Sequence, residues 1–190
     1  MGSNFEEYVE KTISLLRASK YLESDINDSV ITISKTVVNN RIIFICGNGG
    51  SAADSQHLAA ELVGKFKLHG RAISAIALTV DTSVITAIAN DFGYDQIFER
   101  QLSAHGNEGD CLIAISTSGN SANVVKAVKK AREMKLRTIA LIGGDGGEMA
   151  GISDHEICIP STETDLIQHV HLVIGHFLMS EVEKKFRAQL

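Results

Sequence analysis

Proline occurs once in this 190-residue chain, at Pro160, and tryptophan not at all. With no low-complexity stretch and 44% hydrophobic against 22% charged residues, the composition excludes a disordered or fibrous protein. Basic residues are outnumbered, 18 Lys and Arg against 23 Asp and Glu for a net charge of −5. No cationic excess is therefore available to neutralise a nucleic-acid backbone or an anionic membrane surface. A membrane-length apolar run is also missing. The longest uncharged stretch near the end, Leu166 to Ser180, has 15 residues and contains Gln168, His169, His171 and His176. It is too short and too polar to cross a bilayer and is expected to be a buried helix. Cys46, Cys111 and Cys158 are an odd, widely spaced set in apolar runs, so neither a disulfide nor a CxxC metal site is expected. No charged-then-apolar leader opens the chain, so a cytoplasmic location is expected.

What is present is a globular chain with a mean hydropathy of +0.08. Its length fits one domain, at roughly 100–200 residues per domain. Apolar residues recur at helical spacing from Phe5 to about Asn39, with a break near Tyr21 to Asp25. Two helices are expected there, forming an N-terminal extension over residues 1–40. The period then changes. Arg41 to Cys46 is a short continuous apolar run that ends in Gly47-Asn-Gly-Gly-Ser51, which is turn chemistry. Similar runs recur at Ala72 to Thr79, Asp110 to Ser116, Arg137 to Ile142 and Glu156 to Pro160, with helical segments such as Ser121 to Met134 between them. This alternation predicts an α/β fold, a doubly wound parallel five-stranded sheet flanked by helices. Thr162 to Gln189 reads as one long helix, apolar nearly all round from Val170 to Met179, so a second subunit is expected to cover part of it.

In an open parallel sheet ligands bind beyond the carboxyl ends of the strands. Two loops there are suited to this. In Gly47 to Ser51 the glycines allow close backbone approach while Asn48 and Ser51 offer hydrogen bonds. The second, Ser116-Thr-Ser-Gly-Asn-Ser121, has five hydrogen-bonding side chains in six residues ahead of a helix and suits a phosphate monoester. An ordinary N-capped turn remains the alternative for the second loop. For the first, Gly47-Asn-Gly49-Gly-Ser-Ala52 also fits the dinucleotide pattern GxGxxG/A, although its acidic partner would have to be Asp81, 29 positions beyond Ala52.

The helix after the first loop carries His57 and Glu61 at i and i+4, on one face. Such a pair can bind a metal or set a base beside its orienting partner, and also occurs as a plain stabilising pair. Apolar neighbours such as Leu58, Ala59 and Leu62 point to a buried helix, where an unpaired Glu is costly. On the last helix Gln168 and His176 are eight residues apart, about 12 Å of rise and about 80° of rotation, so they can reach one atom only by leaning together. Spacing alone does not choose among His169, His171 and His176. Asn90-Asp-Phe-Gly93 ends a helical run as a turn or as a substrate contact.

Taken together, Cys46-Gly-Asn-Gly-Gly-Ser-Ala-Ala, His57-Leu-Ala-Ala-Glu-Leu-Val-Gly64, Ala89-Asn-Asp-Phe-Gly93, Ile115-Ser-Thr-Ser-Gly-Asn-Ser-Ala-Asn-Val124, the Gly143-Gly-Asp-Gly-Gly loop and Ile167-Gln-His-Val-His171 resemble the phosphoheptose isomerase family of sugar-isomerase (SIS) domain enzymes. The resemblance covers nearly the whole chain. It implies a single SIS domain over residues 1–190 and a homotetramer, with the residue 1–40 helices at the oligomer interface. It also implies interconversion of sedoheptulose 7-phosphate and D-glycero-D-manno-heptose 7-phosphate, feeding nucleotide-activated heptose for lipopolysaccharide or capsule. Carried across by motif, the family's zinc ligands fall on His57, Glu61, Gln168 and His176. Its substrate contacts fall on Asn48, Gly49, Gly50, Glu61, Asn90, Asp91, Ser116, Thr117, Ser118, Ser121 and Gln168. One Zn2+ per subunit is expected, with Glu61 as base and His176 as its acid/base partner in an enediol proton transfer. Where the family commonly has Gly-Arg-Tyr or Gly-Arg-Phe, this chain has Gly64-Lys65-Phe66, a point charge in place of a planar fork. A non-catalytic adaptor of the same fold resembles the chain in both loops but lacks the glutamate and final histidine. A sugar-phosphate sensor, or an isomerase of a different phosphosugar, would keep the loops.

Overall fold

The structure, a computed structural model, describes residues 4–187. The first and last three residues of the expected 1–190 domain lie outside it. Two helices open the chain, α1 (Phe5–Ala18) and α2 (Glu23–Val38), separated by a 3-10 turn at Ser19–Leu22. There follow β1 (Ile43–Gly47), α3 (Gly50–Val63), β2 (Ala75–Ala77), α4 (Thr82–Phe92), α5 (Ile97–His105), β3 (Cys111–Ser116), α6 (Ala122–Glu133), β4 (Arg137–Gly143), β5 (His155–Ile159) and α7 (Thr164–Arg187).

All five strands are parallel and lie in the order β2-β1-β3-β4-β5. Their central members are buried on both faces, which is why β1 and β3 are unbroken apolar runs rather than alternating ones. Ile43, Ile45, Ile113, Ile139 and Leu141 face α1, α2, α3 and α7. Phe44, Cys46, Leu112, Ala114 and Ala140 face α5 and α6. One expected strand is much shorter than its apolar run. Ala72 to Thr79 contributes only Ala75–Ala77, because this edge strand pairs with β1 alone, over Ile43 to Ile45.

The order places a topological switch between β1 and β3. The chain leaves β1 through α3 on one face and leaves β3 through α6 on the other, so the loops after these strands diverge and open a crevice. Both glycine- and serine-rich loops named above stand at that crevice. Along one wall α7 runs beside α3 in the same direction. Gln168 lies near Gly50 and Asp54, His176 near His57, and Glu183 near residues 66–68. Among the described residues no helix is long and apolar enough to cross a membrane.

Candidate active site

The first loop supplies backbone rather than side chains. Gly49 has φ +55°, in the left-handed region. A Cβ on Gly50 would collide with the Gln168 amide, so glycine lets that side chain rest against the loop. Asn48 does not point freely into the crevice. It exchanges two hydrogen bonds with buried Asn123 at the start of α6, each 2.8 Å, and its Oδ1 also accepts from the Tyr94 hydroxyl at 3.2 Å. Asn48 is thus a strut between the two walls. Asp81, which a dinucleotide site would need for a ribose, caps α4 instead, accepting from the Val84 N–H at 3.0 Å.

In the second loop Ser121 is the N-cap residue of α6, yet its hydroxyl makes no cap bond. It accepts instead from the Ser116 hydroxyl at 3.1 Å. Ser118 Oγ accepts from the Asn120 N–H at 3.2 Å, while the Asn120 side chain receives the Glu148 N–H at 3.0 Å. Thr117 is half-buried between them. A row of hydroxyls ahead of a helix N-terminus is a setting for a phosphate group. Asn90 and Asp91 are exposed on the last turn of α4, bonded to one another at 2.7 Å. Among the described residues no side-chain hydrogen bond or ion pair joins them to the loops.

The titratable cluster lies on the α3–α7 wall. His57 Nε2 and His176 Nε2 are 2.8 Å apart, and His57 Nε2 is 3.5 Å from Glu61 Oε1. One ligand atom from each of His57, Glu61 and His176 falls within 4.8 Å of the others. The helix is less buried at this face than its apolar neighbours suggest, because His57 and Glu61 face α7 and solvent while Leu58 and Leu62 pack inward. The His57 side chain is 48% exposed and that of Glu61 19%. Two imidazole nitrogens and a carboxylate are the donor chemistry that zinc accepts, so the residues fit a divalent ion. Gln168 approaches α3 one turn earlier. Its amide donates to Asp54 Oδ2 at 3.1 Å, one helical turn before His57. The eight-residue offset along α7 is the reason, since Gln168 and His176 meet successive turns of α3.

Asp54 is the site residue that the sequence reasoning missed. Burial pushes its carboxyl above the ordinary value, opposed by the Gln168 hydrogen bond and by His57 and His176. A signal was present, because positions 54, 57 and 61 are spaced by three and four and share one helical face. The three histidines of α7 also separate by environment. His171 is buried and donates from Nε2 to the Ile142 carbonyl at 3.0 Å, with burial driving its pKa down to about 4. His169 meets the Tyr8 ring edge-on at 5.8 Å. Only His176 reaches His57.

Known proteins resemble this chain in sequence and fold. The SIS domain family model matches residues 7–143. A phosphoheptose isomerase of Helicobacter pylori strain P12 is 45% identical over 181 residues, 95% of this chain and 94% of its own length. One from Clostridium acetobutylicum is 48% identical over 177 residues, 93% of this chain and 90% of its own. A solved phosphoheptose isomerase from Neisseria gonorrhoeae superimposes with a TM-score of 0.88 at 39% identity, over 93% of this chain and 95% of that one.

Proposed function

Because this chain belongs to the phosphoheptose isomerase family of SIS-domain proteins, we propose that it interconverts sedoheptulose 7-phosphate and D-glycero-D-manno-heptose 7-phosphate. The observation that carries this reading is the approach of His57, Glu61 and His176 to within 4.8 Å of one another, in a chain that also has the Ser116–Ser121 hydroxyls ahead of α6. An aldose–ketose isomerisation needs a group that moves a proton between adjacent carbons and another that moves one between their oxygens. Glu61 takes a proton from C1 of the ketose and returns it to C2. Its Oε1 faces His57, and Oε2 has no partner among the described residues. His176 delivers a proton to O2 and accepts the one leaving O1, so the aldehyde forms at C1 with no net gain or loss of protons. Ser116, Thr117, Ser118 and Ser121 hold the phosphate at the N-terminus of α6, which fixes the distance from phosphate to reacting carbons. Gly49 and Gly50 let the sugar approach the backbone, Asn48 braces the loop, Gln168 orients the substrate beside Asp54, and Asn90 and Asp91 complete the sugar contacts. A zinc ion, one per subunit, held by His57, Glu61 and His176 with Gln168 adjacent, would act as a Lewis acid on the carbonyl oxygen.

The remaining elements of the proposal concern setting. The whole chain acts as one SIS domain, in the cytoplasm, at the first step toward nucleotide-activated heptose for lipopolysaccharide or capsule. The working form is a homotetramer. Supporting this, no residue of the apolar helix α4 is buried, and α7 leaves Val173 and Phe177 half exposed beside Leu16 and Ile26 of the N-terminal helices. Apolar surface on this scale calls for a partner. Light scattering that gives a monomer mass at micromolar concentration would refute the tetramer. For the reaction, an NMR time course of zinc-loaded protein with sedoheptulose 7-phosphate is run beside a chelator-treated sample. We expect an aldoheptose phosphate whose formation slows on chelation. No product in either sample overturns the assignment.

A further inference from the structure

We propose that Glu183 is a positioning residue for His176, acting through Phe66; this rests on the reading of His176 as a metal-holding and proton-transferring group. His176 and Glu183 are seven residues apart on α7, two turns, and so share a helical face. Glu183 is 2% exposed. Its Oε1 accepts the Phe66 N–H at 3.3 Å, and its Oε2 accepts those of Lys67 and Leu68 at 2.9 and 3.0 Å. A buried carboxylate is costly unless satisfied, and backbone N–H groups from three successive residues satisfy it. The segment so held has no helix or strand of its own, since it follows the end of α3 and precedes β2. Glu183 therefore takes the place of a secondary-structure ladder for it.

The segment has one notable cargo. The Phe66 ring lies nearly parallel to the His176 imidazole, with centroids 5.5 Å apart and planes 11° from one another. His176 also meets His57 edge-on, at 5.0 Å and 76°. The imidazole is thus held between an aromatic face and its partner histidine. Without Phe66 the contact with His57 is left to orient the ring, because α7 itself fixes only the His176 Cα and Cβ. Glu183 then acts as an outer support: it fixes the turn, the turn places Phe66, and Phe66 sets the plane in which His176 presents Nε2 to His57 and Glu61. Outer supports of this kind typically change metal affinity or activity by roughly 10- to 100-fold.

The test uses full-length protein with Glu183→Gln, Phe66→Leu and Phe66→Tyr. Gln replaces one acceptor oxygen with an NH2 group facing a backbone N–H, whereas Phe66→Leu removes the ring but keeps all three bonds to Glu183. The first readout is the histidine ring-proton spectrum of the metal-free protein. Stacking on Phe66 shields His176, and that upfield shift is expected to disappear in E183Q and F66L and to persist in F66Y. The second readout is Zn2+ affinity by competition with a chromophoric chelator, expected to weaken about tenfold in E183Q and F66L but not in F66Y. A purely structural Glu183 would lower thermal stability while leaving the His176 shift and the zinc affinity as in wild type, which overturns the proposal. If E183Q does not fold, F66L carries the test: an unmoved shift there refutes the stacking. Wild-type protein that binds no zinc would refute the metal reading instead, and the ring-proton shift would still decide the positioning.

Discussion

Replacing Glu61 by Gln is expected to separate catalysis from folding, because its contact with His57 is weak whereas the proposed role as base is not. The amide has the shape of the carboxylate, so packing around the 19%-exposed side chain is unchanged. Among the described residues its one close approach to a basic group is the i,i+4 contact with His57 at 3.5 Å, with the imidazole 48% exposed to solvent. A screened pair of this sort contributes about 0.3–0.5 kcal/mol. At about 2–4 °C per kcal/mol for a chain of this size, the melting temperature should fall by about 1–2 °C. The catalytic cost is of another order. A general base contributes about 10²- to 10⁴-fold, which at 1.36 kcal/mol per decade is roughly 3–5 kcal/mol in the barrier. The assay pairs steady-state conversion of sedoheptulose 7-phosphate, followed by NMR, with thermal unfolding of the metal-free protein, so that an ion held through Glu61 does not enter the stability comparison. Near-normal kcat in E61Q would refute the base assignment, and a large loss of stability would refute the reasoning about the pair.

Three further predictions follow from particular contacts. The folded protein protonates His171 only near pH 4, whereas the unfolded chain does so near 6.5. The contribution is therefore complete above about pH 6.5 and is lost as pH falls toward 4, by on the order of 3 kcal/mol. Urea titrations across this range should show a flatter pH dependence in His171→Gln than in wild type; equal slopes would refute it. Gly50→Ala keeps a helix-compatible backbone but drives a methyl into the Gln168 amide, so kcat/KM should fall roughly 10- to 100-fold with an unchanged circular dichroism spectrum. Wild-type kinetics there would show that Gln168 need not stand where it does. Ser121→Ala leaves α6 intact, since the hydroxyl caps nothing, yet removes a proposed donor to phosphate worth about 1.5–3 kcal/mol. KM should rise at least about tenfold with kcat little changed, and an unaltered KM would place the phosphate elsewhere.

Features governed by neighbours along the chain were legible in advance. Continuous apolar runs ending in Gly47-Asn-Gly-Gly and Ser116-Thr-Ser-Gly gave away buried parallel strands followed by ligand loops, because strand period and turn chemistry are local. The i,i+4 spacing of His57 and Glu61 placed them on one face for the same reason, and the same argument extended by one turn reaches Asp54. The fate of groups that meet across the chain was not legible. Asn48 looks like a free ligand contact until Asn123, 75 residues on, takes both ends of its amide. His169, His171 and His176 are equivalent by composition, and only the packing of α7 beside α3 sends one to solvent and Tyr8, one to the Ile142 carbonyl and one to His57.

The same packing explains the rest. By itself the amino-acid sequence determined a doubly wound α/β protein with two ligand loops, a histidine–glutamate helix face and a long apolar final helix, since each is set by spacing within a few turns. Only the tertiary structure decided that α7 runs alongside α3 in the same direction. That register brings His176 to His57 across 119 positions and seats the Phe66 turn on Glu183 across 117. It also holds Gln168 one turn short of the histidine pair. Such pairings are fixed by side chains fitting between two helices, a property of surfaces in contact that no local stretch of sequence contains.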